Sequence, residues 1–253
     1  MPVTKTRSVP PSLVDPYLKT ERAKEHLETL RNELGAFDKS KPYSFTFEED
    51  VKNSRYRIKF ELKDIPFQVP LIAGDLFYCL RSALDQMVFS LAKLTTRDPH
   101  GTQFPILDVF NKDSIRRFKQ QTCGVPADAR QIIESLQPYH GPNTAAVKSR
   151  LLWRLNAICN IDKHRRIPAS GIAMDFNFPN APASLRGLVE FEQDNVVSVP
   201  LRFKSQMAFD PEVVFQVLFG DMNAGVEITF EGIERIYNFV ANRVIPKFTG
   251  FFK

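Results

Sequence analysis

The spacing of apolar residues changes from alternating to helical along this chain, and the change decides which folds are open to it. Over residues 71–94 the apolar positions recur with a period of about 3.6, which predicts one long amphipathic helix. Before it, Tyr43, Phe45 and Phe47 alternate with polar residues, and so do the apolar residues of 56–62, which predicts a β-hairpin. The chain therefore combines helices with at least one sheet.

The same patterns predict the remaining elements. Further helices are expected from about residue 12 or 15 to 34 with Gly35 as the stop, near 114–122, near 127–136, over 144–164 before Pro168, and over 231–252 with an end or kink at Pro246. Segments rich in β-branched and aromatic residues predict strands at 172–178, 185–191, 196–201 and 226–230, and 212–219 fits either a strand or a helix.

These elements define an α+β fold: a helical bundle with an inserted β-hairpin, followed by a small antiparallel sheet and a C-terminal helix. We expect a disordered tail at 1–11 and a single domain over 12–253. Within that domain the parts are a bundle over 12–166 with the hairpin at 43–62, a mainly β region over 167–230 and a closing helix over 231–253.

Charge and cysteine content limit the possible partners and the cellular compartment of this chain. The net charge of +5, from 34 Lys and Arg against 29 acids, permits contact with RNA or a nucleotide without demanding it. Cys79, Cys123 and Cys159 have no paired spacing, which favours a reducing compartment, and no apolar leader opens the chain. Charges interrupt the apolar stretch 71–94, so we expect a cytoplasmic protein with no membrane span.

The sequence lacks the motifs that identify several enzyme classes. The sequence has no GxxxxGK[ST], no GxGxxG after a strand, no GxSxG and no HExxH. P-loop hydrolases, dinucleotide oxidoreductases, α/β-hydrolases and common zinc peptidases are therefore not expected. Without zinc-type Cys or His spacing, no metal site and no cofactor are predicted.

Two charged residues of the first long helix are four positions apart. Arg81 falls at the edge of the apolar arc, and Asp85 follows one turn later. One interpretation is an ion pair on the helix surface worth a few tenths of a kcal/mol. The other is that Arg81 points into a polar site within the bundle.

The second long helix places Asp162 in the middle of its apolar arc. A lone buried carboxylate costs several kcal/mol, so it needs a cation such as Arg81, Arg165 or Arg166. We therefore predict that Arg81 and Asp162 face each other across a helix contact. The opposite stripe of this helix contains Trp153, Asn156, Asn160, Lys163 and His164.

The basic run that ends this helix has two interpretations. Lys163, His164, Arg165 and Arg166 complement the helix dipole in one of them. In the other they bind a phosphate or nucleotide, with His164 as the acid–base group. The ligand-binding candidates are then Arg81, Asp85, Asn156, Asn160, Asp162, Lys163, His164 and Arg165, and the catalytic candidates, if the protein is an enzyme, are His164 and Arg81.

A resemblance adds to this. The strings GD at 74–75, LRSALD at 80–85, FPI at 104–106, LQPY at 136–139, LWRLN at 152–156 and NIDKHR at 160–165 resemble a family of uncharacterised bacterial proteins that read GD…LRSALDH and NIDKHR. The piece around Arg81 is also similar to the R-x4-6-H motif of HEPN domains. Those are helical bundles, and many act as metal-independent ribonucleases or nucleotide-binding partners.

The HEPN resemblance makes Arg81 the motif arginine and puts Gln86 in the place of the histidine. Glutamine does not transfer protons at neutral pH, so the resemblance implies either that His164 substitutes or that this copy is inactive. The leading hypothesis is a nucleotide- or RNA-associated bundle with little or no catalysis. The alternatives are a structural or protein-interaction module with a buried Arg–Asp pair, with a protein partner or a homodimer, and a metal-independent ribonuclease.

Overall fold

A computed structural model describes residues 13–96, 99–164, 169–177, 188, 190–192, 196–206, 212–221 and 225–252. It confirms the α+β class with small sheets and a C-terminal helix. The α-helices are α1 (Val14–Lys39), α2 (Gln68–Ala92), α3 (Lys112–Gln121), α4 (Ala127–Ser135), α5 (Thr144–Ser149), α6 (Leu151–His164) and α7 (Phe230–Phe239). The strands are β1 (Tyr43–Asp50), β2 (Arg55–Leu62), β3 (Ala169–Asn177), β4 (Glu190–Glu192), β5 (Val196–Pro200), β6 (Glu212–Asp221) and β7 (Val226–Ile228).

The chain divides into two compact units. A first unit, mainly helical, contains residues 1–31, 70–170 and 218–253, and a second unit contains 32–69 and 171–217. The expected tail at 1–11 and the start of the strand expected at 185–191 lie outside the described residues. No helix of the described residues is long and apolar enough to cross a membrane.

Helix α2 forms the centre of the first unit. The predicted apolar arc is buried at Leu76, Leu80, Ala83, Leu84, Met87 and Leu91. Leu94 is exposed because α2 ends at Ala92, two residues before it. The period-3.6 pattern therefore predicted the buried face correctly and extended it slightly too far.

The predicted end of α1 at Gly35 is wrong. Gly35 stays helical, and α1 runs on to Lys39. The extra turn carries Phe37, which is buried and packs edge-on against Phe215 with ring centroids 5.7 Å apart. Burial of this aromatic ring offsets the entropic cost of a helical glycine.

The helix predicted over 144–164 is two helices. Arg150 adopts an extended backbone with ψ 134°, which interrupts the ladder between α5 and α6. Asn143 caps α5 by accepting a hydrogen bond from the Ala146 N–H at 2.9 Å. After this break α6 contacts α2, where the Cys159 thiol donates to the Phe77 carbonyl at 3.5 Å.

The C-terminal helix changes geometry before Pro246, as the sequence predicted. The α-helical part ends at Phe239, a π-turn covers Val240–Val244, and a 3-10 helix covers Ile245–Phe251. Proline lacks an N–H and its ring clashes with the carbonyl four residues back, so a regular α-helix cannot continue through it.

The second unit is built on a four-stranded antiparallel sheet of order β1-β2-β5-β4. The predicted hairpin β1–β2 is present, and β2 pairs in addition with β5 from the second half of the chain, which the sequence did not predict. Tyr56, Ile58, Val199 and Phe203 form the core on one face. The segment 212–219, open between strand and helix, belongs to strand β6 of a second sheet with β3 and β7.

The opposite face of the four-stranded sheet is polar. Arg57 on β2 donates to Glu192 on β4, with its Nε 3.1 Å from Glu192 Oε2, and its Nη1 is 4.0 Å from Asp50. Arg55 pairs with Glu190 on the same strands. Cross-strand charges of opposite sign therefore cover this solvent-facing side.

Candidate functional site

Arg81 and Asp85 on α2 together hold the backbone of one residue in a loop. Arg81 Nη2 is 3.1 Å from Asp85 Oδ1 and donates to the Phe104 carbonyl at 2.7 Å. The Phe104 N–H donates to Asp85 Oδ1 at 2.9 Å. Both polar backbone groups of Phe104, whose side chain is fully buried, are satisfied by this helical pair.

Gln137 performs the same task at the next residues of the loop. Its side-chain carbonyl accepts the Leu107 N–H at 3.0 Å, and its amide donates to the Pro105 and Ile133 carbonyls, each at 2.9 Å. Gln137 is completely buried. An amide side chain suits this position because it offers a donor and an acceptor in one plane.

We call this set the polar network: Arg81, Asp85 and Gln137 with the backbone of residues 104–107. Because the segment has no neighbouring strand, its buried N–H and C=O groups need side-chain partners, and the network supplies them. Tyr139 adds a backbone bond, with its N–H 3.2 Å from the Leu107 carbonyl. The network fixes the path of the chain directly before the exposed residues 108–110.

The predicted burial of Asp162 is wrong, and no ion pair between Arg81 and Asp162 is present among the described residues. Asp162 is exposed, and its Oδ1 lies 3.1 Å from the point where a Cβ on Gly74 would stand. Gly74 is two helical turns before Arg81 on α2, and Arg81 pairs with Asp85 instead. The missing side chain at Gly74 lets the carboxylate of Asp162 approach α2 closely.

Of the other predicted site residues, Lys163 lies near enough to Asp85 for its charge to oppose the rise that burial causes in the pKa of that carboxyl. Asn156 is half-buried, while Asn160 and Lys163 are exposed. His164 is the last residue of α6, with its side chain outside the described part, and Arg165 lies outside it altogether. The structure therefore brings Arg81 and Asp85 of the predicted set into direct contact.

Arg81 is engaged through one of its terminal nitrogens. Its Nη2 serves Asp85 and Phe104, while its Nη1 is buried from solvent and has no hydrogen-bond partner among the described residues. A phosphate reaching it from solution would first have to displace its surroundings. Burial raises the pKa of Asp85 above its ordinary value, and Arg81 and the Phe104 N–H oppose that rise.

Nearby, Cys159 is not a reactive thiol. Burial raises its pKa to about 12, and it donates to the Phe77 carbonyl. A thiol with so high a pKa carries almost no thiolate at neutral pH, so it is a poor nucleophile and a poor metal ligand.

An apolar groove lies beside the polar network. It has a volume of about 260 Å³ and is lined by Leu107, Phe110, Ser114, Ile115, Phe118, Lys119, Glu134 and Tyr139. Leu107 belongs to the network, so the network positions one wall. Asn111 caps α3 by accepting the Ser114 N–H at 2.8 Å, which fixes the start of the helix that forms another wall.

Polar groups meet at one edge of this groove. The Tyr139 hydroxyl donates to Glu134 Oε1 at 2.8 Å, and His140 Nε2 lies 3.1 Å from the same oxygen. Burial, followed by the hydrogen bond to Glu134, raises the pKa of Tyr139. Tyr139 therefore stays protonated. The ring of Phe110 packs on the ring of Tyr139, with the two centroids 5.2 Å apart.

Sequence reasoning missed Gln137, Tyr139 and this groove. The string LQPY carried part of the family resemblance without a role for its residues. The only signal in the sequence was that Gln137 and Tyr139 flank Pro138 at the end of an amphipathic helix. Both residues are far along the chain from the loop that they contact. A role for Gln137 depends on Leu107, which is 30 residues away, and no local pattern reports such a contact.

Within the described residues no group of His, Cys, Asp and Glu is arranged to hold a metal ion. Comparison with models of known protein families, with curated proteins and with solved structures finds no match for this chain. The resemblances to a bacterial family and to HEPN domains remain expectations from sequence motifs.

Proposed function

We propose that this chain is a non-catalytic protein-interaction module that binds a partner segment in the groove beside α3. The observation that carries the proposal is a cluster of exposed large apolar side chains, of which Phe110 and Ile115 line the groove and Val109 directly precedes Phe110. Val109 is 52 % exposed, Phe110 65 % and Ile115 38 %. Neighbouring exposed apolar side chains on a folded surface are typical of binding sites.

The polar network supports the same proposal. Recognition surfaces work best when the surrounding structure holds them rigidly. Here Gln137 and the Arg81–Asp85 pair fix residues 104–107 immediately before Val109 and Phe110. The motif side chains Arg81, Asp85 and Gln137 thus have a structural task, which explains them without a reaction.

The nucleotide- or RNA-associated function expected from the sequence is a proposal with less support. Arg81 bonds Asp85 and the Phe104 carbonyl and Asp162 is exposed, so the buried Arg81–Asp162 pair that would organise such a site is not formed. The ribonuclease alternative also stays a prediction, with loss of RNA cleavage in His164→Ala as its test. A cytoplasmic location remains part of the proposal, supported by the unpaired Cys79, Cys123 and Cys159.

The test is a selection of random peptides displayed on phage against the purified protein. We expect enriched peptides that bind the wild type, bind Phe67→Ala equally and lose at least about tenfold in affinity for Phe110→Ala, because a truncated anchor removes buried area. Phe67 is the matched control, since its ring is similarly exposed at 71 % but does not line the groove. Peptides that ignore Phe110→Ala, or no enrichment at all, would contradict the proposal.

A further inference from the structure

The cations of α3 lie on the solvent side of the groove. Lys112, Arg116 and Lys119 have i, i+4, i+7 spacing, so they form one stripe along the helix. At 100° per residue, Ile115 lies about 40° from Lys119, so the stripe runs next to the apolar residues that line the groove. Lys119 itself lines the groove.

Two acids beside this groove already have partners, while a third, the exposed Asp108, lies in the loop next to Leu107. Asp113 pairs with Arg116 at 3.2 Å, and Glu134 receives the Tyr139 hydroxyl and faces His140. Lys112 and Lys119, by contrast, form no ion pair with any residue of the described part. The rim along α3 therefore carries positive charge without an internal counter-charge.

We propose that the occupant of the groove is a short acidic amphipathic helix. Its apolar residues enter between Phe110, Ile115 and Phe118, and its carboxylates face Lys112 and Lys119. This inference rests on the proposed function and adds the chemistry of the partner. Helix α3 has ten residues and is about 15 Å long, which matches about three turns of a bound helix.

A peptide suits this surface better than RNA or a second copy. RNA binding uses cations with aromatic rings whose faces are open to the bases. In this groove the rings of Phe110 and Tyr139 pack on each other at a tilt, with centroids 5.2 Å apart, and Leu107 and Ile115 beside them are aliphatic. A second copy of this chain would bring the same positive stripe against itself if the contact were symmetric, which is unfavourable. Both alternatives appear as outcomes below.

The experiment uses three synthetic peptides of about 14 residues with the same Leu and Phe pattern at helical spacing. They differ on the polar face, which carries Glu, Gln or Lys. Fluorescence anisotropy measures their affinity for the full chain. We expect the order Glu, Gln, Lys, with at least about tenfold between the first and the last, and a weaker Glu complex in high salt.

Charge reversal locates the effect. Lys119→Glu should weaken the Glu peptide about three- to tenfold and strengthen the Lys peptide. Lys24→Glu, the same change at an exposed lysine of α1 outside the groove, should leave both affinities unchanged. Circular dichroism checks that both variants are folded, which is expected because both positions are exposed.

The failures of the two proposals differ. If the three peptides bind equally and all lose affinity in Phe110→Ala, the groove binds peptides but the acidic partner is wrong. If none of the three binds while phage-selected peptides do, the acidic helix is also wrong. A poly(U) oligomer that binds more tightly than the Glu peptide, or concentration-dependent dimers lost in Phe110→Ala, would assign the groove to RNA or to a second copy and overturn the inference.

Discussion

Two arginine–carboxylate pairs in this chain have the same chemical groups, but the pKa of the carboxyl is raised in one pair and lowered in the other. In the first unit, burial raises the pKa of Asp85 despite the guanidinium of Arg81 beside it. In the second unit, the hydrogen bond from Arg57 lowers the pKa of Glu192 on the polar face of the sheet. The two arginines differ in exposure, at 12 % for the side chain of Arg81 and 38 % for that of Arg57, while the carboxylate side chains are similar at 34 % and 28 %.

The two pairs therefore have different roles: one determines the position of a loop, and the other adds little to stability. A pair removed from water recovers its desolvation cost only through further hydrogen bonds, and Arg81 and Asp85 find these on the backbone of Phe104. In the pair on the sheet the arginine keeps more of its solvent, so that pair gains little. The buried pair therefore determines where a loop lies, while the exposed pair mainly balances charge.

The largest effect should come from Gln137→Ala. The change leaves the Leu107 N–H and the Pro105 and Ile133 carbonyls unpaired in the interior, and we expect a loss of about 3–5 kcal/mol in the free energy of unfolding. Urea denaturation measures it. Gln120→Ala, at an exposed position of α3, is the control. A loss below about 1 kcal/mol would show that the network does not hold the segment.

Arg81→Ala should follow, with a loss of about 2–4 kcal/mol, because Asp85 and the Phe104 carbonyl both lose their donor. Arg81→Lys keeps the charge but cannot serve both acceptors with one planar group, so it should fall between alanine and wild type. Arg57→Ala, measured under the same urea conditions, is the comparison from the sheet. If Arg57→Ala were as destabilising as Arg81→Ala, the distinction between the two pairs would be lost.

How much of this could be predicted depends on the range of each interaction. The buried face of α2, the hairpin β1–β2 and the i, i+4 pair Arg81–Asp85 follow from spacings of a few residues, and the structure confirms them. The contacts of Asp85 with Phe104 and of Gln137 with Leu107 span 19 and 30 residues, beyond any local pattern.

The failure at Asp162 has a similar origin. Periodicity gave the direction of its side chain on α6 but not the size of the residue facing it, and that residue is Gly74. The groove beside α3 was missed because its walls come from a loop, two helices and the turn at Tyr139. Surface shape of that kind emerges only when distant segments pack together.

A pH series distinguishes the two pairs by sign. Because the folded pKa of Asp85 is raised above its ordinary 3.8, the folded state binds the proton more tightly there. The free energy of unfolding of the wild type minus that of Asp85→Asn should therefore fall as the pH rises from about 3.8 through the raised value. Thermal denaturation in matched buffers measures it, and a rise over this window would contradict the effect of burial.

Glu192 should behave in the opposite way, with a smaller amplitude. Its folded pKa is lowered, so its contribution is present above the ordinary 4.5 and is lost as the pH falls through the folded value. The wild type minus Glu192→Gln difference should thus increase with pH. We expect a shift in Tm of less than about 2 °C at pH 7, since the pair is solvated.

The smallest change in the free energy of unfolding is expected at Asp162, on which the predicted polar site depended most. Asp162→Asn should change the free energy of unfolding by less than about 0.5 kcal/mol, because the carboxylate is exposed and forms no ion pair with any described residue. The sign should favour asparagine slightly, since a negative charge in the last turn of α6 opposes the helix dipole. Gly74→Ala is the companion variant: its new Cβ would stand 3.1 Å from Asp162 Oδ1, and an exposed side chain can move away at little cost. A loss of about 2 kcal/mol or more in Asp162→Asn would mean that the carboxylate of Asp162 is buried and paired. Asp162 would then resemble Asp85 and would no longer serve as its solvent-exposed counterpart.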